Sequence, residues 1–329
     1  MEAFTLTAAG DIDGALAAAS GADTKFIAGG TDLLQLMKNW VERPKHLVDI
    51  DRLPLDRVEF TEQGARIGAL ARMSDVADNA ELRRRHPVIA EALLASASPQ
   101  LRNMATIGGN LLQRTRCGYF RDVGFPCNKR VPGSGCPAIN GENRLQAVFG
   151  GSEHCVATNP SDLAVALTAL DAAIELRGLP QPGSSVARTI PLREFHLVPG
   201  DTPERETAML PGEIITAILV PPETDGHRSH YLKIRDRASF EFALVSAAVV
   251  VTLDRGRIQS ARIAMGGVGT KPWRLPAVEA ALADAPATPA SFATAAAQAV
   301  EGAHPLAQNA FKIPLMQRAL VRALITVTA

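Results

Sequence analysis

The sequence has no surplus of either charge: lysine plus arginine and aspartate plus glutamate both total 34, for a formal net charge of zero. Neutralising phosphates drives nucleic-acid affinity, so a chain without a basic excess falls outside that class. Long apolar runs are also missing. The strongest, Phe242 to Leu253, is well short of the ~20 residues that span a bilayer, and no membrane insertion is expected. Met1-Glu2-Ala3-Phe4-Thr5 shows no basic segment followed by an apolar one, so no secretory signal is read there and a soluble, cytoplasmic chain is expected. There is no G-x-S-x-G elbow and no H-E-x-x-H, and no catalytic residue is assigned. Cysteine is scarce. Four in 329 residues is not the density of a disulfide scaffold.

What is present points to two domains. Hydrophobic residues make up 47% of the chain, and domains of ~100–200 residues make two the natural division. Lys25-Phe26-Ile27-Ala28 reads as a strand ending at Gly29-Gly30. Thr31, as N-cap, then opens a helix from Asp32 to Lys38. Residues 46–50 and 65–70 read as strands, Ser74-Asp75-Val76 as a capped helix start, and 87–97 as a helix. Ser161 caps another helix to about Leu170, and 213–220 is an apolar strand ended by Pro221-Pro222. A boundary is placed in the polar stretch 222–227. Beyond it, 230–235, 243–253 and 257–265 read as three antiparallel strands, the last two joined at Asp254-Arg255-Gly256. The alanine-rich remainder from Pro276 reads as helices, the last over 313–327. The expected class is α+β, with domains at 1–222 and 223–329.

Residues 113–158 break the rhythm with seven glycines and three prolines, and an irregular stretch of that length usually has a function. All four cysteines, Cys117, Cys127, Cys136 and Cys155, fall in or beside it, spaced C-x9-C-x8-C-x18-C. Zinc ribbons pair their thiolates as C-x2–4-C, and common ferredoxin spacings differ too. Four thiolates from one glycine-rich loop suit a cubane cluster, one per iron, with backbone N–H groups free to approach the sulfides. Structural zinc, two disulfides and incidental thiols remain open beside an iron–sulfur cluster. His154 is left out as a lone loop histidine.

Two glycine pairs follow strand-like segments: Ile27-Ala28-Gly29-Gly30-Thr31-Asp32-Leu33 and Thr106-Ile107-Gly108-Gly109-Asn110. Such turns bring backbone N–H groups toward an anion, and a pyrophosphate would suit them. Neither is G-x-G-x-x-G. Each alone is equally a strand-to-helix turn needing positive φ.

Together these residues resemble a known family. FIAGGTDLL (Phe26 to Leu34), ATIGGNLLQ (Ala105 to Gln113), Ser161-Asp162-Leu163 and Tyr231-Leu232-Lys233-Ile234-Arg235 stand in the order found in the FAD subunits of the xanthine dehydrogenase and aldehyde oxidoreductase family. The resemblance runs over nearly the whole chain. It implies a two-lobed FAD-binding domain of the vanillyl-alcohol-oxidase (PCMH) type, then a small domain of antiparallel sheet plus helices. It implies that Lys25, Phe26, Ile27, Ala28, Gly29, Gly30, Thr31, Asp32 and Leu33 cradle the FAD pyrophosphate. Thr106, Ile107, Gly108, Gly109 and Asn110 form a second strap. Asp162 matches an acidic cofactor contact, Ile215 a position whose backbone lies near the flavin side, and Lys233 a lysine near the isoalloxazine ring.

Most of the family lacks cysteines between the strap and the Ser-Asp pair. The extra residues at about 113–158 resemble the subset with a [4Fe–4S] cluster in the flavin subunit, such as the heterotrimeric periplasmic aldehyde oxidoreductases, which implies Cys117, Cys127, Cys136 and Cys155 as its ligands. The implied function is electron transfer in a heterotrimer. A molybdenum-cofactor large subunit oxidises an aldehyde, a [2Fe–2S] small subunit relays electrons to this FAD, and an external acceptor receives them. A signal-bearing partner would then carry the folded complex to the periplasm. A self-contained vanillyl-alcohol-type flavin oxidase, a benzoyl-CoA-reductase-like flavin subunit and a zinc-stabilised binding module are the alternatives.

Overall fold

The alternating patterns of the first half resolve into two separate sheets. The computed structural model describes residues 1–21, 23–179, 186–224 and 226–329. Thr5–Ala8, His46–Asp49 and Thr24–Ile27 lie side by side in that order, all parallel. Parallel neighbours need crossovers, and the helices Ile12–Ala18 and Leu33–Lys38 lie in those connections. Ala15, Leu16, Val48 and Ile50 form the small core of this lobe.

The second sheet is antiparallel, in the order Val58–Thr61, Gly64–Gly68, Ile214–Val220, Ala173–Arg177, Ala187–Pro191. Ile214–Val220 sits at its centre, and the long segment between Gly68 and Ala173 leaves the sheet before returning. That segment carries the helices Pro87–Ala95 and Asp162–Ala169, the glycine strap and the cysteine loop. All eight residues of Asp162–Ala169 are buried, as expected of a helix apolar on every side.

The C-terminal sheet has the order Trp273–Arg274, Arg257–Gly266, Val245–Asp254, His227–Ile234. Three strands were expected; the two-residue Trp273–Arg274 adds a fourth, pairing with Ala264 and Met265. The hairpin turn at Arg255-Gly256 has positive φ at both residues (46° and 77°), the conformation a two-residue hairpin demands. Successive side chains of a strand point to opposite faces. Val245, Ala247, Val249 and Val251 pack on the helices Pro276–Leu282, Pro289–Ala296 and Lys312–Thr328, while Ala248 and Val250 enter the core of the N-terminal domain. The strand is apolar throughout because two cores claim its faces.

Several details depart from the sequence reading. The first glycine helix starts at Leu33 with Asp32, not Thr31, in the cap position, and Asp32 makes no cap hydrogen bond. The helix expected at Ser74 starts at Met73 after Arg72. Ser161 does cap its helix, accepting from Ala164 N at 3.0 Å. Within 113–158 only the short helix Gly118–Arg121 and a 3-10 turn at Pro137–Ile139 appear. Asp225, in the expected boundary stretch, lies outside the described residues. Among the described residues no helix is long and apolar enough to cross a membrane.

Candidate cofactor sites

The two glycine segments meet. A Cβ on Gly29 would fall 1.8 Å from Met104 O, so only glycine permits the first loop to lie against the strap. Gly30 has φ +67°, which favours glycine. Thr106 caps the short helix Ile107–Leu111, its Oγ1 accepting from Gly109 N at 3.2 Å. Lys25 to Leu33, Thr106, Gly108, Gly109 and Ile215 thereby line one cavity of about 400 Å³. Ile107 instead lies wholly buried in the main core.

That cavity opens into a longer trough. A neighbouring cavity of about 600 Å³ shares Thr31, Asp32 and Gly109 with it, and adds Asn110, Asp162, Phe240 and Phe242. A third, of about 800 Å³, shares Asp162, Arg116 and Phe242 with the second and reaches Cys117 and the C-terminal sheet. The trough suits an elongated ligand with a charged waist.

Asp162 anchors its middle. Its carboxylate accepts from Tyr231 OH (2.6 Å), Lys233 Nζ (2.7 Å) and Ser96 Oγ (2.9 Å). The Lys233 ammonium, 3% exposed, also donates to Ala95 O, so its charge is held beneath the trough and not within it. Burial, and the Asp162 carboxylate beside it, push the Tyr231 phenol well above its usual range. Ser161 Oγ donates to Asn110 Oδ1 at 2.6 Å, tying strap to acid. Asp32 faces the other way. It accepts from Arg116 Nη1 (2.7 Å), Arg121 Nη2 (2.8 Å) and Arg114 N (2.8 Å), all leading into the cysteine loop. Burial raises its carboxyl, against the pull of Arg121. Lys25 pairs with Glu42 at 3.1 Å.

The four cysteines converge. All are free thiols and all line one small, apolar, enclosed cavity with Phe120, Pro137 and Ala138. The two-disulfide reading is not realised. Burial pushes the Cys155 thiol up to about 11 and raises Cys117 and Cys136 as well. Gln146 Nε2 donates to Cys117 Sγ (3.4 Å) and Ala157 N to Cys155 Sγ (3.5 Å). Among the described residues no three His, Cys, Asp or Glu side chains are grouped so as to hold a metal ion. Cys117 lines both this cavity and the wide end of the trough.

Sequence reading missed Ser96, Arg116, Arg121 and Gln146. Each acts across a long stretch of chain and none carries a local motif. Tyr231 lay inside a quoted motif, but nothing marked its hydroxyl for Asp162.

A family model described as the FAD binding domain in molybdopterin dehydrogenase matches residues 2–223, and the CO dehydrogenase flavoprotein C-terminal domain matches 230–327. The aldehyde oxidoreductase FAD-binding subunit PaoB of Escherichia coli K12 is 48% identical over 331 aligned residues, covering 98% of each chain. The glyceraldehyde dehydrogenase medium chain of Sulfolobus acidocaldarius is 30% identical, over 78% of this chain and 72% of that one. In fold, a chain of the reconstituted CO dehydrogenase from Oligotropha carboxidovorans superposes with a TM-score of 0.77 at 24% identity, covering 100% of this chain and 98% of the other.

Proposed function

Because the chain belongs to the FAD-binding subunits of the xanthine dehydrogenase and aldehyde oxidoreductase family, we propose that it is the flavin and iron–sulfur electron-transfer subunit of a molybdenum-containing aldehyde oxidoreductase. Its partners in a heterotrimer are a molybdenum-cofactor large subunit and a [2Fe–2S] small subunit, and an external acceptor takes the electrons. The observation that carries this reading is the meeting of trough and cysteine cavity at Cys117.

The residues offer donors for both groups. The Gly29-Gly30-Thr31 loop and the Thr106 to Asn110 strap offer close backbone approach for the FAD pyrophosphate. The trough toward Asp162 has room for the remainder of an extended dinucleotide. Cys117, Cys127, Cys136 and Cys155 would hold a [4Fe–4S] cluster. Four thiols line one cavity, and in a cubane each thiolate would meet a different iron. Burial raises the Cys155, Cys117 and Cys136 thiols, and a bound cation would displace their protons. When bound, FAD interconverts two-electron and one-electron traffic and an iron–sulfur cluster relays single electrons. The chain's own residues bind, orient and exclude water: Asp162 fixes Tyr231 and Lys233 under the trough, and Gln146 and Ala157 direct N–H groups at two of the sulfurs.

The test is the visible spectrum of the anaerobically purified chain, with iron, sulfide and zinc assays on the same sample. Flavin bands over a broad iron–sulfur shoulder, with about four irons per chain that are lost in Cys127→Ser, are expected. Flavin with zinc and no iron would remove the cluster; a chain without flavin would remove the whole reading.

A further inference from the structure

The last helix begins on a wholly buried lysine, Lys312. An ammonium withdrawn from water must find partners for its protons. Lys312 Nζ has three, donating to Leu145 O (2.9 Å), Gln146 O (2.9 Å) and Gly267 O (2.6 Å), which uses every donor it has. Asn309, equally buried, donates through Nδ2 to Gln146 O (3.1 Å) and Ala147 O (3.3 Å), while its Oδ1 accepts from Leu306 N. Gln308 exchanges a pair with Asn143: Asn143 N donates to Gln308 Oε1 (3.0 Å) and Gln308 N to Asn143 Oδ1 (2.9 Å).

One short stretch of the C-terminal domain thus grips residues 143–147, which lie between Cys136 and Cys155. The gripped residues turn their remaining groups toward the thiols. Gln146 Nε2 donates to Cys117 Sγ, and Ala147 N donates to Val156 O beside Cys155 (2.8 Å). The grip acts on the backbone of Gln146 and leaves its side-chain amide free for the sulfur.

Resting on the cluster reading above, we propose that Lys312, with Asn309 and Gln308, is a positioning clamp by which the C-terminal domain closes the cysteine loop and aims the Gln146 amide at the Cys117 sulfur of the cluster. The N–H dipole favours the more negative, reduced cluster, and the clamp holds that dipole in place.

Three variants of the full chain test it. Gln146→Leu keeps the backbone contacts of Lys312. It should bind the wild-type amount of iron and FAD but lower the cluster's midpoint potential in an EPR-monitored redox titration, by about a tenfold change in the reduced-to-oxidised ratio, or about 59 mV for one electron. Lys312→Met should keep its flavin, surrender iron to a chelator about tenfold faster, and move the potential in the same direction. If Lys312→Met does not fold, Asn309→Leu, which removes only the amide arm, carries the same expectation. An unchanged potential in Gln146→Leu overturns the proposal, as does wild-type iron release in the clamp variant that folds. A wild-type chain that binds flavin but no iron fails differently, removing the cluster reading and the clamp together before any variant is compared.

Discussion

Gly29→Ala places one methyl group where the structure leaves no room. The new Cβ would lie 1.8 Å from Met104 O, whereas contacts under 3.0 Å are essentially never seen, so loop and strap must part by about 1.2 Å. The obstacle is backbone and cannot rotate aside. Hydrogen bonds weaken steeply over such a distance. A bond from a backbone N–H to a charged oxygen is worth about 1.5–3 kcal/mol, so misplacing two should cost about 3–6 kcal/mol. That corresponds to roughly 10²- to 10⁴-fold weaker FAD binding. Gly109→Ala is the comparison. Its Cβ would meet only Thr106 Oγ1, at 2.9 Å. That hydroxyl can turn away, so a loss of about tenfold or less is expected. Titration of the apo-chain with FAD, followed by flavin fluorescence, measures both, with thermal unfolding to exclude global damage. If Gly29→Ala bound FAD within about threefold of wild type and melted normally, the joined glycine loops would not be the pyrophosphate site.

Asp162→Ala should destabilise the fold by about 3–5 kcal/mol in urea denaturation, because it strands the buried Lys233 ammonium beside Tyr231; a loss under about 1 kcal/mol would mean that Lys233 finds another partner. Stability should also fall in acid. Burial lowers His86 to about 4, with Glu223 opposing that shift and His227, Arg85 and Arg262 reinforcing it. The unfolded chain takes up this proton near pH 6.5 and the folded chain only near 4, so stability present above about 6.5 drains away as pH falls between those values. At about 1.4 kcal/mol per unit, roughly 3 kcal/mol is lost. His86→Phe should flatten that part of the pH–stability curve, and an unaltered slope would assign the effect to other groups.

The glycine loop was legible because its constraint acts over a few residues: Gly29 must be glycine to pass Met104. The four cysteines that line one cavity stood out by their letters. The sheet was less legible. Val58–Thr61 and Ala187–Pro191 are edge strands of four and five residues, too short for an alternation to stand out. The expected Thr31 cap failed through tertiary override: Asp32 spends its carboxylate on Arg116 and Arg121, partners more than eighty residues away, and the helix begins one residue later. Val245–Asp254 could be read as a strand, but its apolar letters on both faces became intelligible only once two cores were seen to share it. Lys312 gave no signal at all. A lysine at the start of an amphipathic helix looks like a solvent-facing charge until Leu145, Gln146 and Gly267 are found around it.

The grip of residues 308–312 on 143–147 also sets a timetable. Synthesis runs from N- to C-terminus, so every cysteine is made long before Asn309 and Lys312. Only once residues 308–312 are made can the C-terminal domain grip residues 143–147. On the clamp reading, closing the loop over the thiols therefore waits on the folding of the C-terminal domain.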